Sequence, residues 1–429
     1  MTPVIGIDFG TTNSVVTVLA ADGTPRTAHF QTGNELLDMF RTVLCFWTDS
    51  PKAGAGLRHA AGPDAIEAYL DDPLDSRLIM SMKTYLAQRS FTETRIFGHP
   101  FTLERLVALF LGDVLKRAGI DAAGARIVAG RPVRFAGEFA DDSLGDQRLR
   151  ASYAAAGLAG IDLALEPEAA GYRFARRLNT GATVLVGDFG GGTSDFSLLR
   201  FEPGAGQEGI PHVLPLGHAG IGIAGDNFDF RIIDRVISPR LGKGDSYSIM
   251  GKDLPVPPEY FSSFARWHRM SLMRNPRMLR EIAEVARASA HPERLGRLIT
   301  LIEDELGYRI YQTVSAAKAA LSRAQSTTLR FCHKSLNIIQ DITREDFESW
   351  IAEDIVRLGE TVDRALADAR LAPESVDHVF LTGGTSFVPA VRRLFDARFD
   401  PRKITAGGEF VSVSEGLALI GRDRSVTQN

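Results

Sequence analysis

The sequence predicts an α/β protein built as two related lobes. A chain of 429 residues is too long for one simple core. An internal repeat divides it. Val4-Ile5-Gly6-Ile7-Asp8-Phe9-Gly10-Thr11-Thr12-Asn13-Ser14 is an apolar strand followed by Asp-Phe-Gly and small hydroxylated residues. Val184-Leu185-Val186-Gly187-Asp188-Phe189-Gly190-Gly191-Gly192-Thr193-Ser194 repeats that order, with Asp188 standing 180 positions after Asp8. Between and after the two copies strands alternate with helices, the pattern of a partly parallel sheet in each lobe.

Each copy of the repeat continues at once into a second strand, Val15–Leu19 and Asp195–Leu199, so each reads as a β-hairpin with a Gly/Thr-rich turn. Leu106, Val107, Phe110, Leu111, Val114 and Leu115 fall at helical spacing within Leu103–Ala118, and Gly119 supplies the stop. Ala125–Ala129 is a short buried strand ending at Gly130-Arg131-Pro132, and Gln147–Ala156 is a helix closed by Gly157. Thr343-Arg344-Glu345-Asp346 is a capping box that opens a helix running to about Ala369. Val376–Leu381 is then a strand, Gly383-Gly384-Thr385 a turn and Val388–Phe395 a helix. Two stretches depart from the alternation. Residues 31–100 read as loop-rich, a smaller inserted subdomain, and residues 226–325 as almost wholly helical. There Leu295, Leu298, Ile299, Ile302, Leu306, Ile310, Val314 and Leu321 trace one face of a single long helix.

Composition excludes several classes of function. Apolar residues make up 44% and charged residues 24%, the balance of a soluble globular protein. A net charge of −4 gives no electrostatic reason for a nucleic-acid or membrane-surface partner. Cys45 and Cys332 lie far apart, which argues against a disulfide scaffold or a CxxC metal site and fits a reducing compartment. The first residues have no basic region before their apolar run, and no stretch reaches transmembrane length, so the expected location is the cytoplasm.

The repeated turn carries the chemistry. Phosphate oxygens need converging N–H donors, and only Gly and other small residues let a ligand approach the backbone closely. Gly10, Thr11, Thr12 and Asn13 form one such turn, and Gly190, Gly191, Gly192 and Thr193 form the other. Asp8 and Asp188, just ahead of the turns, suit a Mg²⁺ ion held through its waters. Asp195 is placed to position an attacking water or accept its proton, which serves phosphoryl transfer. Either turn alone reads equally well as hairpin punctuation; two copies, each behind a buried strand, favour an ATP-hydrolysing site.

Other signals are weaker. Gly220-Ile221-Gly222-Ile223-Ala224-Gly225 matches GxGxxG, but Asp245 follows no strand, so a glycine-rich lip over the same nucleotide is preferred to a dinucleotide fingerprint. Neither Gly242-Lys243 nor Gly251-Lys252 is followed by Ser or Thr, and HExxH and GxSxG are absent, which excludes P-loop, zinc-protease and esterase readings. Arg266, Arg269, Arg274, Arg277 and Arg280 form a basic run that reads first as a solvated face.

Both Asp-Phe-Gly turns, Glu166-Pro167-Glu168-Ala169-Ala170-Gly171, Gly225-Asp226-Asn227-Phe228-Asp229, Ala317-Lys318-Ala319-Ala320-Leu321-Ser322 and Leu381-Thr382-Gly383-Gly384-Thr385-Ser386-Phe387-Val388-Pro389 occur in one order. That ordered set resembles the ATPase domain of the heat-shock protein 70 (DnaK-type) chaperones, and Gly130-Arg131-Pro132 with Gly217-His218 resembles their short YegD-type members. The resemblance implies a two-lobed actin-like ATPase fold of duplicated ribonuclease-H-like domains, with ATP or ADP and Mg²⁺ in a cleft. It implies lobe I at 1–178 plus 404–429 with an inserted subdomain at 31–104, and lobe II at 179–403 with a helical insertion at 226–340. By the same resemblance Glu166 organises magnesium and water, Lys83 orients the attacking water, and Thr193 joins the second phosphate loop. Lys318 and Ser322 fall at adenosine-site positions, Gly225, Gly383 and Gly384 beside the nucleotide, and Pro132 at a proline linked to switching between lobe states.

The departures shape the expected function. Ser315 and Ala319 stand where the family has a glutamate and an arginine at the adenosine site, and Phe387 replaces an arginine that flanks adenine. An aromatic face still stacks on a base, so the expectation is weaker or less selective nucleotide binding. The polar stretch Gly421–Asn429 shows no apolar, acidic linker, so the expectation is a chain that has no substrate-binding domain to drive. The expected function is a chaperone-like, weak ATPase that switches protein partners or co-chaperones. An actin-like filament protein and a small-molecule kinase of the same superfamily are the alternatives.

Overall fold

The computed structural model describes residues 3–33, 35–49, 56–137, 139–176, 178–202, 212–264, 273–334, 336–406 and 411–427. The chain divides into two compact units, one of Met1–Gly225 with Ile355–Asn429 and one of Asp226–Asp354.

The first unit holds two sheets of the same topology. In one, β1 (Val4–Asp8) and β2 (Asn13–Leu19) form an antiparallel hairpin, with Pro25–Thr27 antiparallel on the far side of β2. On the other side β3 (Arg126–Arg131) runs parallel to β1, and β4 (Asp162–Leu165) runs parallel to β3. In the second sheet β5 (Ala182–Phe189) and β6 (Ser194–Glu202) form the hairpin, and β7 (His212–Ile221) pairs antiparallel with β6. Parallel to β5 lies β8 (His378–Thr382), and parallel to β8 lies β9 (Ile404–Ala406). The repeated motif is therefore the visible part of a duplicated half, and each copy opens the middle strand of its own sheet. Both middle strands are almost continuously apolar because both of their faces are covered.

Two helices lie against both sheets. α3 (Glu166–Ala175) and α7 (Ser412–Thr427) share one core with Val128 and Ala164 of the first sheet and with Val184, Val186, Leu199 and Phe201 of the second. Their approach depends on glycine. A Cβ on Gly416 would lie 1.8 Å from the Ala169 carbonyl oxygen, and one on Gly6 would lie 2.2 Å from the Ser414 carbonyl oxygen. A second core covers the opposite face of the first sheet. It joins Ile5, Ile7 and Phe9 to α1 (Leu103–Arg117) and α2 (Asp142–Ala155) through Leu106, Phe110, Val114, Leu149 and Tyr153. Thr102 caps α1 by accepting from the Arg105 N–H at 3.3 Å. α2 starts five residues before the predicted position because Asp141 caps it, accepting from the Leu144 N–H at 3.0 Å.

Three expectations are corrected. The stretch at 31–100 is more regular than its composition suggests: Val43–Thr48 is the centre of a three-stranded sheet with Leu57–Ala61 and Ser76–Met80, and the helix Gly62–Asp71 packs on it. The single long helix is two, α4 (Pro292–Glu303) and α5 (Gly307–Leu321). Glu305 takes a left-handed φ of +51°, and the Leu306 N–H donates back to the Leu301 carbonyl at 3.1 Å, a helix-ending turn. The capping box at Thr343 is present, but its helix ends at Trp350 and α6 (Ala352–Ala369) follows a break at the fully buried Ile351. The second unit also carries the hairpins Ser246–Ile249 with Lys252–Pro255 and Ser326–His333 with Leu336–Thr343. Arg266 and Arg269 of the basic run lie outside the described residues. Among the described residues no helix is long and apolar enough to cross a membrane.

Candidate functional site

The two hairpin turns of the first unit come together. Gly10 is required by the first turn, since a Cβ there would sit 2.0 Å from the Asn13 carbonyl oxygen. Thr12 and Asn13 are tied down on their far side: the Thr12 carbonyl accepts from the Thr42 N–H at 2.9 Å and Asn13 Oδ1 from Arg41 at 3.2 Å. In the second turn the Gly190 N–H donates to the Thr193 carbonyl at 3.0 Å, and the Gly225 N–H donates to the Gly190 carbonyl at 3.5 Å. The turns face each other at Gly192, where a Cβ would lie 3.2 Å from Thr11 Oγ1 and 3.7 Å from Thr84 Oγ1. Glycine at this point lets the second turn come close to the Thr11 and Thr84 hydroxyls.

Ionisable groups cluster beside the turns. Lys83 stands on a short 3₁₀ turn, Met82–Tyr85, entered through Ser81 at a left-handed φ of +55°. Its Nζ donates to Glu166 Oε1 at 2.5 Å, and both side chains are buried. Glu166 begins α3, with Gly130 beside it: a Cβ there would come within 3.0 Å of Glu166 Cγ. Asp8 ends β1, while Asp188 and Asp195 face each other across β5 and β6. Asp8 and Asp188 keep part of their surface open. Asp195 is closed in, accepting at Oδ1 from the Val133 N–H at 2.9 Å and the Arg134 N–H at 3.2 Å. Gly220 makes this possible, because a Cβ there would lie 2.4 Å from that oxygen.

Four carboxylates thus share one ammonium. Burial, then the Glu166 charge, pushes Asp8 up to about 7 against the opposing pull of Lys83. Burial and Glu166 also raise Asp195 to about 7, with the Thr193 hydroxyl and the Arg134 N–H opposing. Asp188 is raised well above the usual carboxylate range by burial, Glu166, Asp8 and Asp195. Burial pulls the Lys83 ammonium down, but Glu166, Asp8 and Asp188 outweigh it and hold its pKa above the ordinary lysine value. A cluster of four carboxylates around one ammonium fits a cation, and the partly exposed Asp8 and Asp188 are the oxygen donors open to it. Among the described residues no three acidic, His or Cys side chains converge closely enough to enclose a metal ion by themselves. Water and phosphate oxygens are therefore the fitting complement to the two aspartates.

The remaining predicted residues divide between the units. Gly383, Gly384 and Phe387 follow β8 in the first unit. Gly383 has φ +86°, and a Cβ on it would strike the Phe189 carbonyl oxygen at 2.1 Å. Phe387 ends the next 3₁₀ turn and is 47% exposed, a free aromatic face. Lys318 and Ser322 belong to the second unit. Lys318 Nζ donates to Asp229 Oδ2 at 2.8 Å, and Ser322 Oγ donates to the Lys318 carbonyl at 3.2 Å. Sequence reasoning missed Asp229 as the partner of Lys318 and the Val133–Arg134 backbone as the partner of Asp195. Gly220, which the sequence suggests as part of a nucleotide lip, is the last residue but one of β7 and lies against Asp195. A backbone donor leaves no mark in the residue type, so only the fold, which brings the segment after Arg126–Arg131 to Asp195, reveals that contact.

Comparison with known proteins agrees with this architecture. The family model described as Hsp70 protein matches residues 299–419. Over 439 residues the chain is 26% identical to a chaperone protein HscA homolog from Azotobacter vinelandii, covering 98% of this chain and 58% of the relative. It is 25% identical over 423 residues to the chaperone protein DnaK of Thermotoga neapolitana, with coverages of 96% and 58%. The chain thus spans a little over half the length of the curated relatives it matches.

Proposed function

We propose, from the premise that this chain belongs to the Hsp70 family and has its actin-like ATPase fold, that it binds and hydrolyses ATP as a nucleotide-dependent switch on partner proteins. The observation that carries the reading is the meeting of the two phosphate loops at Thr11 and Gly192, above the Lys83–Glu166 pair and the open Asp8 and Asp188 carboxylates. In this reading the lobes divide near residues 178 and 404, and the paired loops belong one to each.

Each residue then has a task. Backbone N–H groups of the loops, with the Thr11, Thr12 and Thr193 hydroxyls, hold the β- and γ-phosphates. Asp8 and Asp188 would hold Mg²⁺, which would supply charge neutralisation on the phosphate oxygens. Lys83, fixed by Glu166, points its remaining N–H donors at the attacking water, and Asp195 is the carboxylate nearest to receive its proton. Asp195 also links the second loop to the segment after Pro132 through the Val133 and Arg134 N–H groups. A change of charge beside Asp195 alters those two hydrogen bonds, which supports a conformational readout of the nucleotide state.

Phosphate release from ATP with Mg²⁺, at the slow rate of a switch rather than of a metabolic enzyme, tests the catalytic part. No release above buffer would remove the ATPase reading. The switch is tested by affinity capture on the immobilised protein in ATP and in ADP. A partner set indifferent to the nucleotide would leave an ATPase without the switching role.

A further inference from the structure

Tyr153 belongs to α2, and no part of it reaches the surface. It belongs to the same buried cluster as Leu149 and as Ile7 and Phe9, the two neighbours of Asp8 in the chain. Leu149, one turn earlier on the same helix, is a plain hydrophobic contact, and a phenylalanine would fill the Tyr153 position as well. The hydroxyl is what needs explaining, because among the described residues it has no hydrogen-bond partner. Buried polar groups are nearly always satisfied, and an orphaned one destabilises the fold unless water or a ligand completes it.

Burial first, and then the charges of Asp8 and Glu166, two carboxylates of the phosphate site, hold the phenol's pKa well above the ordinary tyrosine value. Ionised carboxylates only accept hydrogen bonds, and a phenol has one proton to give. The groups are complementary, yet no direct bond joins them. An oxygen that accepts from the phenol and donates to carboxylates meets the need of all three, and water is that oxygen.

We propose that Tyr153 is a positioning residue of the phosphate site: its hydroxyl donates to a buried water, and that water donates to the Asp8 and Glu166 carboxylates. The inference rests on the phosphate-site reading and extends it by one shell. Its role is to hold the orientation of Asp8, which would hold the magnesium, and of Glu166, which fixes Lys83. Partners at this remove commonly change metal affinity by about tenfold or more.

Tyr153→Phe removes one oxygen and leaves the packing. Calorimetry with ADP, with Mg²⁺ and in EDTA, should show the Mg²⁺-dependent affinity weakened about tenfold in the variant, with the affinity in EDTA unchanged. Urea unfolding of the nucleotide-free protein should show a lower midpoint for the variant, since a satisfied hydroxyl has been lost. Mg²⁺-dependent affinity within about twofold of the wild type overturns the proposal. So does a raised urea midpoint, the mark of a hydroxyl that was never satisfied. A wild type that binds no Mg-ADP condemns the phosphate-site reading instead, and the urea result still decides whether the hydroxyl is hydrated.

Discussion

Four carboxylates and one ammonium in a shared recess make each charge count differently. Lys83 is the cation that the buried Glu166 carboxylate touches, so Lys83→Ala leaves a buried charge unpaired, at a cost of about 3–5 kcal/mol. Asp188 is the opposite case, held among like charges with its pKa raised well above the usual range. Asp188→Asn removes repulsion while keeping the shape. We expect the nucleotide-free Lys83→Ala protein to melt below the wild type and Asp188→Asn to melt at or above it, although both lose phosphate release. Scanning calorimetry with a phosphate assay checks the pair, and equal melting temperatures for both variants would contradict this charge balance. The cysteines separate as clearly. Burial pushes the Cys45 thiol up to about 11, whereas Cys332 lies exposed on a hairpin beside Asn337. At neutral pH a thiol reagent should label Cys332 in the native protein and Cys45 only after unfolding, as peptide mass mapping would record.

At the scale of elements, glycine separates packing from propensity. Gly112 lies within α1 with nothing within 4 Å of its would-be Cβ, and Gly416 lies within α7 against the Ala169 carbonyl of α3. Gly112→Ala should stabilise by about 0.5–1 kcal/mol through helix propensity. Gly416→Ala should destabilise on the order of 3 kcal/mol, because the two helices must part. Chemical denaturation of both variants tests this, and matching midpoints would mean that α3 and α7 are not closely packed. The same elements show what the sequence made legible. The β1–β2 and β5–β6 hairpins declare themselves because their apolar strands and glycine turns are local features, repeated. The break between α4 and α5 does not, because the apolar spacing runs straight through it. It is set by tertiary partners: Asp304 binds His333 at 2.8 Å and Lys334 at 2.7 Å, and Glu305 turns left-handed beside it. Lys83 and Glu166 are 83 positions apart, and neither carries a local signal of the other. The family resemblance singled out both residues, and the fold supplies their contact. Tyr153 had no signal at all, since a tyrosine on a buried helix face looks like core.

For the whole molecule, nucleotide binding is a question of stability as well as catalysis. A ligand that binds only the folded chain raises its unfolding free energy by RT ln(1 + [L]/Kd), about 2.7 kcal/mol at a hundredfold excess over Kd. ATP with Mg²⁺ should therefore raise the melting temperature. The same nucleotide in EDTA should raise it less, because Asp8, Asp188 and their neighbours then meet the phosphates without a cation between them. Base choice follows from a different part of the chain. In the proposed reading the base contact is Phe387, whose exposed ring would stack on any purine. Stacking rewards surface overlap and reads no hydrogen-bond pattern, so replacing adenine by guanine should cost little. We expect GTP and ATP to give melting shifts of similar size at equal concentration and calorimetric affinities within about tenfold. Phe387→Ala should weaken both together. A preference for ATP beyond about a hundredfold, or a Phe387→Ala variant that binds ATP as tightly as the wild type, would show that hydrogen bonds to the base, and not an aromatic face, select the nucleotide.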